Sequence, residues 1–421
     1  MKRLFTHIMF LLSAILAVSC ASDDDFTDGG NGSTDPSEEL KPVRKTIIAY
    51  ITGDNNLSSS LSNDLREMTT GSAQLPADCH LVVFADFRGE KPYIAHLKDG
   101  ALEKVREYGN EFYSTSPDSM RSVYQWIIDH YPAREYSTVL SGHGSGAIIS
   151  SDTISTNLLK LNAYGYDGAG EVSATSTSTW MNVPSMAAVF GSLRDYDGGR
   201  LHFDYIFLDC CCFQTVEAAY EFRHAADFIV APVSETPAAG ADYEKMTAAL
   251  SLSGEDAVRT IVDTYSANTS ICISAIRTDM LDGLCAATRR ALGTIYDGKE
   301  KLTLNHARCI YYYRGNETGY QRQASLHDMK HVMRTNLEDS VYREWLAELE
   351  KAVVHKNVAN RWDTSLGINF SLFQEFLTDE YYGGVSMLVP DDDYTLYGND
   401  INTSMFKLQW CNDVGWKRMG W

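Results

Sequence analysis

Positions 203–212 read FDYIFLDCCC, an apolar run followed by one acid and three cysteines. The run Phe203–Leu208 has the length and the aromatic and β-branched content of a buried strand. A helix is predicted after it, over Thr215–Ala225, and a further strand over Asp227–Val233. Strands that alternate with helices indicate a mostly parallel sheet covered on both faces, whose chemistry lies at the carboxyl ends of the strands.

The same alternation extends on both sides of this run. Residues 150–181 interrupt it, because they are rich in Ser, Thr, Gly and Asn and predict a long surface loop. Further predicted strands cover Thr46–Thr52, His80–Phe87, Ser137–Leu140 and Ser270–Ile276, and predicted helices cover Val183–Leu193 and the segment after the Ser116-Pro117 cap.

Beyond residue 254 the pattern becomes more helical. This half is either a second subdomain or a helical flank on the same sheet. We therefore predict a core domain over residues 44–254 and a C-terminal helical region with a late strand over residues 255–421. The predicted elements of this region are the helices Met280–Ile295, Leu326–Leu337 and Ser340–Val354 and the strand Gly384–Val389.

The N-terminal segment predicts an export signal and a tether. Two basic residues precede the apolar run Phe5–Val18, which is too short for a membrane span and is followed by Cys20. This order resembles a lipoprotein signal over residues 1–20, cleaved so that Cys20 becomes the lipidated N-terminus; an ordinary secretory signal is the alternative. Residues 21–43 predict a flexible acidic tether, of the kind that directs some lipoproteins to the outer surface of the bacterial outer membrane.

Charge and cysteine content exclude several classes of partner. The formal net charge of −20 argues against a phosphate-backbone partner, so we expect no nucleic acid to bind. One of the nine cysteines belongs to the signal. The other eight show neither a disulfide framework nor the C-x-x-C pairs of a zinc ribbon, so no metal site is predicted.

Two predicted strands end in residues suited to nucleophilic catalysis. His143 follows one strand, between Gly142 and Gly144, and Cys211 follows another. A helix N-terminus after Cys211 would favour its thiolate and supply a backbone N–H to an oxyanion. Taken singly, these residues are better explained as a turn histidine and a small buried thiol. Together they indicate a cysteine–histidine pair at one edge of the sheet.

The run from Asp209 to Tyr220, DCCCFQTVEAAY, resembles the D-A-C-L-M-x-x-V-E-x-A-Y run of clostripain-like cysteine peptidases, in the clan of caspases, legumain and gingipains. Counting from either end of that run assigns the nucleophile to Cys211. The resemblance implies a caspase-like α/β/α sandwich with a mostly parallel central sheet and a more helical C-terminal region. Weaker similarities extend it over about residues 45–421, at YITGDNNL (50–57), ADFIVA (226–231), ETPAAG (235–240) and GVSMLVP (384–390).

The resemblance also implies an endopeptidase acting on proteins or peptides. Cys211 would form a thioester, His143 would transfer protons, and the backbone N–H groups of Gly144 and Cys211 would bind the oxyanion. Family members cleave after Arg or Lys, which requires a carboxylate in the pocket. Asp209 and Asp242 are the candidates. The alternatives are a strand-end carboxylate held by backbone N–H groups for Asp209 and a solvent-facing loop acid for Asp242.

The chain departs from the family pattern beside the predicted site. Ser141-Gly142 stands where W-D or W-N is usual, and residues 237–241, PAAGA, replace P-G-x-G-W. Some members are activated by cleavage between the histidine and the cysteine, and Lys160 is the candidate position. The sequence requires no cofactor, although the resemblance allows calcium.

Three other functions remain open at this point. One is a catalytically inactive binding module of the same fold, anchored at the cell surface. Another is a glycan-binding lipoprotein of a nutrient-uptake complex. The third is a peptidase that cleaves after Asn or Asp. Retention of both His143 and Cys211 at strand ends favours an enzyme over the first two.

Overall fold

The structure is a computed structural model in which residues 39–421 form one compact unit. The predicted signal with Cys20, most of the tether, and Lys160 lie outside the described residues. The described residues are 41–109, 112–148, 153–155, 164–167, 177–268, 271–313, 326–357, 378–392, 395–396, 399–400 and 405–421.

Strands and helices alternate through the first half of the unit. The strands are β1 (Val43–Gly53), β2 (Cys79–Phe87), β3 (Tyr93–Lys98), β4 (Ala101–Glu107), β5 (Ala133–Ser141), β6 (Thr153–Ser155), β7 (Tyr164–Asp167), β8 (Thr177–Met181), β9 (Phe203–Asp209), β10 (Ala226–Pro232), β11 (Ile273–Arg277), β12 (Tyr311–Tyr313), β13 (Leu326–Asp328), β14 (Val353–Lys356), β15 (Ser386–Leu388), β16 (Thr395–Leu396) and β17 (Asn399–Asp400). The described helices are α1 (Ser58–Gly71), α2 (Pro117–His130), α3 (Val183–Ser192), α4 (Val216–Phe222), α5 (Tyr243–Leu250), α6 (Gly254–Asn268), α7 (Leu281–Ile295), α8 (Met329–Asn336), α9 (Asp339–Ala352) and α10 (Gln409–Val414).

A sheet of nine strands forms the centre, in the order β14-β11-β10-β9-β5-β1-β2-β3-β4. The five inner strands, from β10 to β2, are parallel to one another. The outer strands on both sides run antiparallel to their neighbours. The predicted sheet, mostly parallel and flanked by helices, is confirmed.

The alternation of side chains along β1 explains why both faces of the sheet are covered. Ile47, Ala49 and Ile51 pack into one hydrophobic cluster, together with apolar residues of α1, α5 and α6. Ile48 and Tyr50 point the other way, into a cluster built by α2, α3, α4 and α7. A strand buried on both faces is apolar at every position, which is the pattern that predicted a parallel sheet.

The C-terminal half contributes strands as well as helices. β11 and β14 extend the sheet beyond β10, so this half is a flank on the same sheet, one of the two predicted alternatives. The boundary predicted at residue 254 falls at the first residue of α6, and both α5 and α6 pack on the same cluster. Three small sheets, β6-β8-β7, β12-β13-β15 and β16-β17, lie outside the large one.

Sequence predictions were wrong in secondary structure over two segments, and the helix predicted to end at Val354 ends at Ala352, before β14. The loop predicted over residues 150–181 contains three short strands, rich in Thr and Tyr, which favour extended backbone. The helix predicted over Leu326–Leu337 begins with strand β13, and α8 starts only after Asp328, whose Oδ1 accepts from the His331 N–H at 3.0 Å. An N-cap of this kind fixes where a helix begins.

Glu217, in α4, links the sheet's helical layer to the small sheet of β15. The Leu388 N–H donates to its Oε1 at 2.8 Å. Burial raises the pKa of this carboxyl to about 8. Glu217 is therefore a neutral acid at pH 7 in the folded protein, whereas an unfolded chain would ionise it.

We expect the Glu217→Gln variant to lose less stability than the parent protein as the pH rises. Between about pH 5 and pH 7 the folded state keeps the Glu217 proton and the unfolded state releases it, which favours unfolding by about 1.4 kcal/mol per pH unit. The variant lacks this contribution to the pH dependence of the unfolding free energy. Denaturant unfolding at several pH values measures the difference, with the surface variant Glu344→Gln as a charge-matched control. Parallel pH profiles for Glu217→Gln and the parent would contradict the prediction.

Candidate active site

The carboxyl ends of the inner parallel strands meet at one edge of the sheet, where both predicted reactive residues lie. β5 pairs with β9 so that Ser141 stands opposite Asp209. His143 and Cys211 each follow these positions by two residues, and both line one cavity of about 520 Å³. The register of two strands therefore brings the predicted pair together.

His143 is held by an amide from the loop after β1. Its Nε2 lies 2.8 Å from Oδ1 of Asn56. An Nε2–H that donates to this oxygen leaves Nδ1 with a free lone pair, able to accept a proton. Burial lowers the pKa of His143 below its ordinary value of 6.5, so the ring is neutral at pH 7.

Gly142 lets the His143 loop lie directly against β1. A Cβ at this position would stand 2.2 Å from Oγ1 of Thr52, closer than any side chain allows. Gly144 is equally tight, because a Cβ there would be 2.8 Å from the Cys211 carbonyl oxygen. The two glycines flanking the histidine thus let its backbone approach β1 on one side and the cysteine turn on the other.

The Cys211 thiol contacts the segment that follows β10. The Thr236 N–H donates to its Sγ at 3.3 Å, and Thr236 Oγ1 lies 3.5 Å away. Burial raises the pKa of Cys211 above its ordinary value of 9.0, although the contacts with Thr236 lower it in part. The resting pair is therefore a thiol beside a neutral imidazole, not a thiolate beside an imidazolium.

The donor to this thiol differs from the one that the sequence predicted. α4 starts at Val216, after a turn, and its Ala218 N–H is capped by the Thr215 hydroxyl at 3.1 Å. The turn itself places Cys212 at a φ of +58°, a backbone conformation that few residues other than glycine adopt. The Cys212 N–H donates to the carbonyl of Ser234 at 2.9 Å, so the turn is tied to the same segment that contacts Cys211.

The three adjacent cysteines have distinct environments. Cys210 is fully buried, with its Sγ 3.4 Å from the Leu140 carbonyl oxygen. Cys212 is also buried. Of the three, Cys211 alone is partly exposed and lines the cavity, which is the position that the sequence comparison of the D-x-C run assigned. All eight cysteines from Cys79 to Cys411 are free thiols.

Asp209 forms part of the cavity wall and is fixed by three donors. Its Oδ2 accepts from the Tyr243 hydroxyl at 2.8 Å and from the Ala241 N–H at 3.2 Å. Its Oδ1 accepts from the Tyr265 hydroxyl at 2.7 Å. Burial raises the pKa of Asp209, and the three donors counteract this effect. Two tyrosine hydroxyls thus supply two of the three hydrogen bonds to Asp209, which the sequence interpretation had assigned to backbone N–H groups.

Asp242, the other predicted pocket acid, is not brought to the cavity. It is the N-cap of α5, where its Oδ1 accepts from the Lys245 N–H at 3.3 Å. Its Oδ2 lies 2.6 Å from the ammonium of Lys245. A partly exposed acid that caps a helix and pairs with lysine is close to the predicted alternative of a solvent-facing residue.

Three residues of the site were not predicted as functional. Asn56 contacts His143 and Thr236 contacts Cys211, while Asp64 of α1 lines the cavity close to Asp209. Asn56 lies in the DNNL stretch whose similarity to the family was noted only as a weak signal. No local pattern connects Asp64 to the site, since α1 was not predicted as a helix.

The described ranges contain neither a metal-binding cluster nor a membrane-spanning helix. There, no three or more His, Cys, Asp or Glu side chains are grouped to hold a metal ion. The described side chains thus provide no carboxylate cluster that fits calcium. Nor does any described helix combine the length and the apolar character that crossing a membrane requires.

The fold and the site together define a class of protein, an α/β chain with a thiol and an imidazole at the carboxyl ends of adjacent parallel strands. The model of the clostripain family matches residues 49–417. The chain therefore belongs to the clostripain family of cysteine peptidases.

Individual relatives agree with this assignment. Clostripain of Hathewaya histolytica is 25% identical over 241 residues, which are 51% of this chain and 43% of that protein. The match thus spans less than half the length of this curated relative.

Two solved structures share the fold. One is a secreted C11 cysteine protease from Bacteroides thetaiotaomicron in complex with an irreversible peptide inhibitor, with a TM-score of 0.67 and 23% identity over 89% of this chain and 99% of that one. The other is an inactive zymogen C11 protease from Parabacteroides distasonis, with a TM-score of 0.70 and 21% identity over the same shares. They confirm the predicted caspase-like fold class.

We expect alkylation of Cys211 by iodoacetamide to accelerate through about pH 9 without a plateau, since the thiolate is the reacting form. Because its pKa lies above 9.0, the rate should rise about tenfold per pH unit between about pH 7 and pH 9. Peptide mapping by mass spectrometry follows the labelling of each cysteine, and Cys211→Ala identifies the reactive peptide. A plateau below pH 7 would instead indicate a preformed thiolate–imidazolium pair.

Proposed function

We propose that this chain is a cysteine endopeptidase in which Cys211 and His143 form the catalytic dyad. The observation that carries the proposal is the register of β5 against β9, which brings a partly exposed thiol and a neutral imidazole to one cavity. Membership of the clostripain family supports the reaction class. An inactive binding module of the same fold would not require either side chain at this place.

In this mechanism the S–H proton of Cys211 passes to His143 Nδ1 as the sulfur attacks the peptide carbonyl. The resulting oxyanion accepts hydrogen bonds from the backbone N–H groups of Gly144 and Cys211. His143 then gives the proton to the leaving amine, the C–N bond breaks, and a thioester remains. Water hydrolyses the thioester with the histidine as base. The loss of one oxyanion donor typically costs about 2.7–4 kcal/mol of transition-state stabilisation.

We propose that the substrate residue before the cleaved bond is Arg or Lys. The cavity beside Cys211 is lined by three acids, Asp64, Asp209 and Glu235, and no lysine or arginine lines it among the residues that the structure describes. A buried cation is stable only when it is paired with a carboxylate, so a cavity of this charge favours a basic side chain over Asn or Asp. A glycan, which carries no cation, would leave these acids unpaired.

We propose that the protein is exported and anchored in the outer membrane by a lipid on Cys20, with the catalytic unit at the cell surface. The lipoprotein-like signal supports export, as does the description of the similar Bacteroides protease as secreted. Lys160 is the proposed position of an activating self-cleavage, in line with the zymogen described for a structural relative. No step of the proposed mechanism uses calcium.

We expect the full-length chain to cleave fluorogenic peptides that end in Arg or Lys, and Cys211→Ala to abolish this cleavage. The reason is that no thioester forms without the thiol. Initial rates with Arg, Lys, Asn and Asp peptides, with and without calcium, provide the measurement. Cleavage after Asn or Asp alone would refute the proposed specificity. If none of the four peptides is cleaved and a thiol-reactive peptide analogue does not label Cys211, the binding-module function would be favoured.

We expect Asp209→Asn to lower kcat/KM for Arg peptides by about 10- to 150-fold, the effect of losing a charge-assisted hydrogen bond worth roughly 1.5–3 kcal/mol. Asp242→Ala should retain the preference for Arg, because this acid caps α5 outside the cavity lining. Steady-state kinetics on Arg and Gln peptides compares the two variants. Loss of the Arg preference in Asp242→Ala, with kcat/KM unchanged in Asp209→Asn, would indicate that Asp242 and not Asp209 binds the substrate side chain.

A further inference from the structure

Asp64 is an acid of the cavity wall whose hydrogen bonding is incomplete. The side chain comes from α1 and is only 1% exposed, although it lines the same cavity as His143 and Cys211. Its Oδ1 is buried and has no hydrogen-bond partner among the described residues. A buried carboxylate oxygen without a donor is costly, so this atom requires either a proton or a ligand.

Asp209 provides a contrast, because both of its oxygens already accept hydrogen bonds from Tyr243, Ala241 and Tyr265. These donors come from α5, α6 and the segment before α5, and they fix the carboxylate in place. Asp209 therefore contributes a stationary negative charge, whereas Asp64 has one oxygen, Oδ1, for which the described residues provide no donor.

Gly240 brings the two carboxyls to a common space. Its φ is +55°, and a Cβ on it would lie 3.0 Å from Asp209 Oδ2 and 3.5 Å from Asp64 Oδ2. A side chain at this position would crowd Asp209 and would touch Asp64. Glycine therefore leaves the two carboxyls close together at the cavity.

The surroundings of Asp64 disfavour its ionisation while the cavity is empty. Burial, then the charge of Asp209, then that of Glu67 raise the pKa of Asp64 to about 9. The groups that face it are Asp209 from β9, Glu67 from α1 and the Tyr243 hydroxyl from α5. None of these is a cation, so the described groups that face Asp64 supply no positive charge to pair with it.

We infer that Asp64 receives the cationic end of the bound substrate side chain, and that entry of this cation displaces one proton from the cavity into the solvent. This inference rests on the proposed preference for basic residues. In charge terms, a neutral carboxyl and a cation become a carboxylate–cation pair and a free proton. An opposite charge within about 4–6 Å lowers a carboxyl pKa by roughly 1–3 units, enough to ionise Asp64 at about pH 8.

The test uses benzamidine, a cation that resembles a guanidinium group, and full-length Cys211→Ala protein, which cannot turn over. Isothermal titration calorimetry at about pH 8, in two buffers of different ionisation enthalpy, gives the number of protons released. We expect about 0.4–0.9 proton per bound benzamidine, and an affinity that rises between about pH 6 and pH 8. Absence of proton release, or absence of binding, would overturn the inference without any further variant.

Asp64→Asn, in the same Cys211→Ala background, should abolish the proton release and weaken benzamidine binding at least tenfold. Asp256→Asn, which removes a charge from the exposed first turn of α6, should change neither and serves as the matched control. Asp64→Ser provides a second, smaller replacement if the asparagine variant does not fold, as judged by circular dichroism.

Activity measurements separate this inference from the proposed function. If Asp64→Asn in an otherwise active enzyme leaves KM for Arg peptides and the preference for Arg unchanged, the role of Asp64 is refuted. The proposed peptidase function is then unaffected. If benzamidine binds with proton release but no peptide is cleaved, the cation site is supported and the peptidase is refuted.

Discussion

The parallel pairing of β5 with β9 is the constraint on which the site depends. These strands pack against a hydrophobic cluster on each face, so a shift of register would misplace closely packed side chains on both faces and is strongly disfavoured. With Ser141 fixed opposite Asp209, the turns that follow both strands emerge side by side. Glycines at 142 and 144 then let the histidine loop pack against β1 and against the cysteine turn, so the core holds the reactive pair without a direct bond between its members.

The electrostatics of the site follow from the same burial. Removal from water disfavours charge on Cys211, His143 and Asp64 alike, so the empty cavity is composed largely of neutral forms. Asp209 is the acid with the most donors, two of which are tyrosine hydroxyls. The cavity thus combines Asp209, an acid held by several hydrogen-bond donors, with groups that change protonation only when a ligand binds or a reaction takes place.

The sequence predicted the parts of this structure that depend on short apolar runs. β5 and β9 were predicted from their composition, and His143 and Cys211 from their places just after those strands. Asp64 and Thr236 could not be predicted in this way, because their roles arise from contacts between elements distant in the chain. The sequence left Asp242 open between a pocket acid and a solvent-facing residue, because it gives no sign that this side chain caps α5 and pairs with Lys245. β14 was read as the end of a helix because two β-branched residues at a helix end give little sign of pairing with a distant strand.

The protonated resting state of Cys211 also affects how long the protein can remain intact. Oxidants attack the thiolate far more readily than the thiol, and oxidation beyond sulfenic acid is generally irreversible. A thiol that stays protonated is thereby shielded from peroxide and similar reagents. The burial that disfavours ionisation of Cys211 is then also what protects it from oxidation.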